Sequence, residues 1–136
     1  MFDINKKEIS AVLKKGGILA LPTETVYGLA VDLNNKNAVE KLLKLKQRPV
    51  TSGKVLTLML PNVKSIEQYA VLSRSTRNFA RHYFPGELTM IMPKNKDFSH
   101  YYFDNFSNIG IRIPNYKPLL DLLNDYGPLL VTSANP

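Results

Sequence analysis

Short apolar runs that stop at proline or at a polar cluster recur along this chain, and helical segments lie between many of them. Gly17-Ile18-Leu19-Ala20-Leu21 ends at Pro22, and Ile109 to Ile113 ends at Pro114. Val55 to Leu60, Leu88 to Met92 and Leu129 to Thr132 have the same character, and Leu29 to Leu33 is a further possible strand. Runs of this length with such boundaries suit buried strands. The alternation predicts an α/β protein, a sheet covered by helices. Periodicity alone does not reveal the strand order or the direction of each strand.

Helical segments are marked by their ends. Asn5 followed by Glu8 reads as a capping box, and Ile9, Val12 and Leu13 supply one apolar face. Gly16 and Gly17 stop that helix. Asn37 is expected to cap a second helix carrying Val39, Leu42, Leu43 and Lys46, with Pro49 beyond its end. Helical pieces are predicted at Ser65 to Tyr69 and Ser75 to Tyr83, with a turn at Pro85-Gly86. Phe98 to Asn108 is aromatic, polar and irregular, so it reads as loop. Pro118 opens a final helix through Leu119, Leu120, Leu122 and Leu123, and Gly127 lies past its end.

A length of 136 residues suggests one domain over 1–136 with one core. The 44% hydrophobic content suffices for that core without a metal or disulfide staple. No apolar stretch approaches the roughly 20 residues of a membrane span. The first fifteen residues lack a signal-peptide pattern. The chain has no cysteine, which excludes disulfides and thiol chemistry. These features predict a cytoplasmic protein that does not contact membranes. The net charge of +7 favours phosphate-bearing partners, although a basic surface also serves solubility.

Neither GxxxxGK[ST] nor GxGxxG is present. His82 and His100 stand far apart without a metal-binding context, so each reads as a surface or hydrogen-bonded histidine. Polar clusters are more informative: Thr23-Glu24-Thr25-Val26-Tyr27-Gly28, Lys46-Gln47-Arg48-Pro49, Asn108 to Pro114, and Thr132-Ser133-Ala134-Asn135. They are expected just after strands, and open α/β sheets hold ligands at the carboxyl ends of strands. Lys46 and Arg48 would converge if the helix ends between them, and together they would stabilise a phosphoryl group. Arg112, in an apolar strand, needs a carboxylate partner. Three cations, hydroxyls and an amide without an evident general base suit phosphoryl or nucleotidyl transfer. Each cluster also has a plain reading, as a turn and cap, a solvated helix end, an internal ion pair, or a polar tail.

Together and in order, these clusters resemble the YrdC-like family of threonylcarbamoyl-adenylate synthases. Gly16 to Leu29 is similar to the family's opening motif, Lys46-Gln47-Arg48-Pro49-Val50 to its K-x-R element, and Phe84 to Thr89 to its Pro-Gly-Pro turn, with Glu87 at the second proline. Ile109 to Pro114 resembles its G-x-R-x-P strand, and Pro128 to Asn135 ends in its S-x-N element. Ser52-Gly53-Lys54 displaces a lysine that the family usually carries nearer Pro49. Family domains continue past the S-x-N element, whereas this chain stops at Pro136. A twisted mixed sheet flanked by helices, with a concave basic face and a shortened C-terminus, is therefore implied.

The resemblance implies condensation of L-threonine, bicarbonate and ATP into threonylcarbamoyl-adenylate and pyrophosphate. Mg2+ would accompany ATP as part of the substrate, with no tightly bound cofactor and no metal ligands in the protein. A separate threonylcarbamoyl-transferase complex would then modify tRNA at the adenosine beside the anticodon. By the resemblance, Lys46, Arg48, Ser133 and Asn135 are the catalytic residues and contact ATP together with Asn108. Thr23, Thr25, Tyr27, Arg112 and Thr132 would hold threonine, with Arg112 taking its carboxylate. Two other readings are open: a non-catalytic double-stranded RNA or tRNA-binding module using the basic face, and a carbamoyl-transfer accessory domain.

Overall fold

A computed structural model of the chain describes residues 5–25, 27–46 and 56–134. The first helix, α1 (Lys6–Lys14), begins at Asn5, whose side chain accepts the Glu8 N–H at 3.3 Å. It ends at Gly16, whose φ of 82° is the left-handed conformation that glycine adopts without strain. Helix α2 (Lys36–Leu45) starts two residues earlier than the sequence suggests. Its cap is Asn35, not Asn37, because Asn35 is extended and accepts the Ala38 N–H at 3.0 Å. Ser73 caps α3 (Arg74–Tyr83), and Pro118 stands in the first turn of α4 (Lys117–Tyr126). The segment expected to be helical at Ser65 to Tyr69 is instead a 3-10 helix over Val63–Gln68, capped by Asn62.

Six strands form one sheet among the described residues: β1 (Leu19–Pro22), β2 (Tyr27–Asp32), β3 (Thr57–Met59), β4 (Met90–Pro93), β5 (Asn108–Arg112) and β6 (Leu129–Ser133). Their order is β1-β2-β6-β3-β5-β4. Only β3 and β5 run parallel; the other neighbours are antiparallel. The sheet is thus mixed and flanked by helices, as expected.

Alternation along the strands divides the core into two layers. Val31, Leu58, Ile109, Ile111 and Leu130 join the layer packed with Val39 and Leu42 of α2 and Ala80 of α3. Their immediate neighbours Ala30, Met59, Leu129 and Val131 face the other way, against Leu13 of α1 and Leu119, Leu122 and Leu123 of α4. Helix α4 is further tied to β2 by the Tyr126 hydroxyl, which donates to Asp32 Oδ2 at 2.6 Å. Burial first, and then this acceptor, push the Tyr126 phenol well above its usual range.

The aromatic segment read from the sequence as loop contains a short 3-10 helix, Phe103–Asn105, and plugs the first layer with Tyr102 and Phe103. His100 holds it in shape. Its Nδ1 accepts the Tyr102 N–H at 3.0 Å, so Nε2 carries the proton and donates to the Leu33 carbonyl at 2.6 Å. His100 is therefore a hydrogen-bonded structural histidine, and His82 is exposed. The Tyr102 hydroxyl in turn accepts the buried Leu56 N–H at 2.8 Å, just ahead of β3. Tyr102→Phe is expected to lower unfolding free energy by about 1–3 kcal/mol, since it leaves that N–H unpaired inside the protein. Urea unfolding with an unchanged m-value would measure it.

Candidate active site

Helices α1 and α4 cover only part of their face of the sheet. Beyond them the strands carry small residues, with Gly28 on β2, Thr57 on β3 and Gly110 on β5, and this floor stays open as a cleft. Thr23, Tyr27, Gly28, Thr57, Met59, Thr89, Arg112, Val131, Thr132 and Ser133 border a hollow of about 100 Å³. A larger cavity of about 460 Å³ shares Thr57 and Thr89 with it and extends to Asn105, Phe106, Ser107 and Asn108. Packing is tight at Gly28 and ordinary at Gly110. A β-carbon on Gly28 would meet Val131 Cγ1 at 3.0 Å, and one on Gly110 would meet Thr89 Cγ2 at 3.4 Å.

Register sets where each polar side chain stands. Val131, Thr57 and Gly110 lie side by side across β6, β3 and β5. Two residues on, Ser133 and Asn108 sit toward the same end of the sheet, two strand spacings or about 10 Å apart. Arg112 pairs with Met59 in the opposite direction, about 13 Å along β5 from Asn108. The residues therefore spread over the face of the sheet and do not gather only at carboxyl ends of strands. In a mixed sheet, one end collects the starts of β2 and β3 together with the finish of β1 and β6, so the carboxyl-end expectation holds for Thr23 and Ser133 but not for Tyr27 or Asn108.

Arg112 has the carboxylate partner that its apolar strand requires. Its Nη2 donates to Glu24 Oε1, and its Nε donates to the Gly86 carbonyl at 3.1 Å. Glu24 Oε2 also accepts the Asn115 N–H at 2.5 Å. Gly86 is held in place because its own N–H donates to the Ile113 carbonyl at 2.8 Å. Arg112 is thus held by the Pro85-Gly86 turn from one side and by the β1–β2 loop from the other. Both side chains of the ion pair are largely sheltered, at 12% exposure for Arg112 and 23% for Glu24.

At the other end of the cleft, the chain leaves α2 at Lys46, and the Lys46 ammonium donates to the Ser133 carbonyl at 3.0 Å. The K-x-R and S-x-N elements, 87 residues apart in sequence, therefore meet through their first members. Their second members, Arg48 and Asn135, lie outside the described residues, as does Lys54. Thr23 borders the hollow, and Thr25 is tied to it by a 2.9 Å contact between hydroxyls and by its own N–H to Thr23 Oγ1 at 3.1 Å. Tyr27 presents an exposed ring at the rim. Thr132 borders the hollow but is buried, and alternation along β6 places its side chain on the same side as Leu130, opposite Ser133. Asn108 is exposed beside the larger cavity.

Sequence reasoning did not single out Glu24, Gly86, Thr57 or Thr89 as site residues. Glu24 was visible in the first polar cluster, yet only the fold shows it opposite Arg112, 88 residues away. Among the described residues, no three His, Cys, Asp or Glu side chains converge as a metal site, and no helix is long and apolar enough to cross a membrane.

The family described as "Telomere recombination", which comprises the Sua5, YciO and YrdC proteins, matches residues 11–136. The chain belongs to the Sua5/YciO/YrdC family. A protein of Photobacterium profundum named threonylcarbamoyl-AMP synthase is 36% identical over 135 residues, which is 96% of this chain and 72% of that protein. The crystal structure of P. abyssi Sua5 complexed with L-threonine superposes with a TM-score of 0.84 at 26% identity, covering 98% of this chain. The chain spans 40% of that Sua5 chain's length. E. coli YciO gives a TM-score of 0.83 at 25% identity, over 93% of this chain and 62% of that one. The mixed sheet, the open face and the ordered motifs are thus the Sua5/YciO/YrdC fold.

Proposed function

We propose that this chain is a threonylcarbamoyl-AMP synthase, which condenses L-threonine, bicarbonate and ATP into threonylcarbamoyl-AMP and pyrophosphate. The observation that carries this reading is a cleft with a cation on each side: Arg112 borders it, and Lys46 reaches its Ser133 edge from α2. The reaction joins two anions, a carbamate and a nucleotide, so charge must be offset at two points held apart. Lys46, Ser133 and Asn108, with Arg48 and Asn135, are the proposed ATP contacts. The larger cavity beside Asn108 has the size of small-molecule sites. Arg112 receives the threonine carboxylate, and Thr23, Thr25 and Tyr27 complete that half; the Thr132 side chain, expected there from the sequence, is buried on the opposite side of β6 and takes no part.

In this reading the neutral threonine amine first condenses with bicarbonate, by way of carbon dioxide, to a carbamate: the N–C bond forms and one water is lost. A carbamate oxygen then attacks the α-phosphorus, a new P–O bond forms, and the bond to pyrophosphate breaks. No strong base is needed at the phosphoryl step, since the attacking oxygen is already anionic. Lys46 stabilises the charge that builds on the phosphoryl oxygens. Mg2+ enters with ATP as part of the substrate, held by phosphate oxygens. Transfer of the product to the adenosine beside the anticodon of tRNA falls to a separate transferase.

The test is product analysis after incubation with ATP, magnesium, L-threonine and labelled bicarbonate. The expected result is labelled threonylcarbamoyl-AMP, with pyrophosphate released only when threonine is present. Absence of product together with absence of ATP and threonine binding would overturn the reading.

A further inference from the structure

Glu24 is the carboxylate of the β1–β2 loop, and none of the roles above uses it. Its two oxygens are engaged by different elements, Oε1 by Arg112 Nη2 of β5 and Oε2 by the Asn115 N–H ahead of α4. A carboxylate anchored to a backbone N–H is not a loosely seated side chain waiting to be displaced, because leaving would strand two donors at once. Arg112 is correspondingly restrained from two directions, by Glu24 at Nη2 and by the Gly86 carbonyl at Nε. Among the described residues, Nη1 has no hydrogen-bond partner in the protein, while Arg112 borders the hollow. A guanidinium has a planar fork of five donors, so fixing two of its nitrogens determines where the third points.

We infer that Glu24 is a positioning residue: it clamps the Arg112 guanidinium between two elements and leaves Nη1 to receive the carboxylate of the amino-acid substrate. The identity of that carboxylate rests on the function proposed above; the clamp itself rests on the geometry alone. The Glu24 carboxylate also offsets the positive charge that an unpaired arginine would present. Binding then depends on directed hydrogen bonds more than on bulk attraction, which favours a carboxylate in one orientation over any passing anion.

The experiment follows the 136-residue chain and its Glu24→Ala and Glu24→Gln variants by two independent readouts. Calorimetry measures L-threonine and ATP separately, and the side-chain ¹⁵Nε–¹Hε resonance of Arg112, assigned by its loss in Arg112→Lys, reports whether the guanidinium is held. Glu24→Ala is expected to weaken threonine at least tenfold, to leave ATP within twofold, and to broaden the Arg112 resonance through faster solvent exchange. Glu24→Gln keeps one acceptor oxygen for two donors, so it should fall between wild type and Glu24→Ala, and it serves as the measurement if the alanine variant does not fold. Unchanged or tighter threonine binding in a folded Glu24 variant would overturn the proposal, the tighter result making Glu24 a competitor for Arg112. An Arg112 resonance that stays sharp in Glu24→Ala would overturn it as well. If the wild type binds no threonine while Glu24→Ala still releases the Arg112 signal, the clamp is supported and the failure belongs to the functional reading.

Discussion

Replacing Lys46 by alanine is expected to lower threonine-dependent pyrophosphate release at least about 100-fold, the effect of removing one preorganised charge from a developing phosphoryl transition state. Stability should hardly move. Lys46 stands at the end of α2, and its hydrogen bond to the Ser133 carbonyl lies on the surface of the molecule. The two readouts therefore separate cleanly: rate falls while the melting temperature stays. Initial rates at saturating ATP and threonine, set beside thermal unfolding, would measure both. A Lys46→Ala protein that keeps its rate would remove Lys46 from the chemistry and leave its contact with Ser133 as a link between α2 and β6.

Arg112→Ala is expected to act on binding and stability together. The Glu24 carboxylate would keep the Asn115 N–H but lose its guanidinium in a sheltered place, and the Gly86 carbonyl would lose its donor. Loss of a hydrogen bond to a charged group costs about 1.5–3 kcal/mol. In a chain of this length that corresponds to a fall of roughly 5–10 °C in melting temperature. Threonine binding should become undetectable by calorimetry at concentrations that saturate the wild type. Arg112→Lys restores the charge but not the planar fork, and so should recover stability better than threonine affinity. Adding Glu24→Gln to Arg112→Ala removes the stranded charge and is expected to return part of the lost stability while threonine binding stays absent. An Arg112→Ala protein as stable as wild type would show that the ion pair contributes nothing net.

Asn5 lies ahead of an apolar helical face and does cap its helix, because a cap needs only its own few residues to act. Asn37 misled, since Asn35 two residues earlier offers the same chemistry and the backbone geometry chose it. Phe98 to Asn108 looked like loop by its mixed composition. Its burial depends on Leu33 and Leu56, which are distant in sequence and accept or donate the hydrogen bonds that fold it inward. The need of Arg112 for a carboxylate was legible from its apolar strand, whereas the identity of that carboxylate was not.

Legible along the chain were the α/β class, the extents of most helices and strands to within a residue or two, and the residue types available for handling phosphate and carboxylate. Its ordered motifs also pointed to the right family. These properties are written in local spacing, where neighbours along the chain set periodicity, caps and turns. That Lys46 meets Ser133 and that Glu24 faces Arg112 came from the folded arrangement alone. Those pairings follow from strand order and register, which depend on contacts between segments far apart in the chain, and a register shift of one residue would turn every side chain of a strand to the other face.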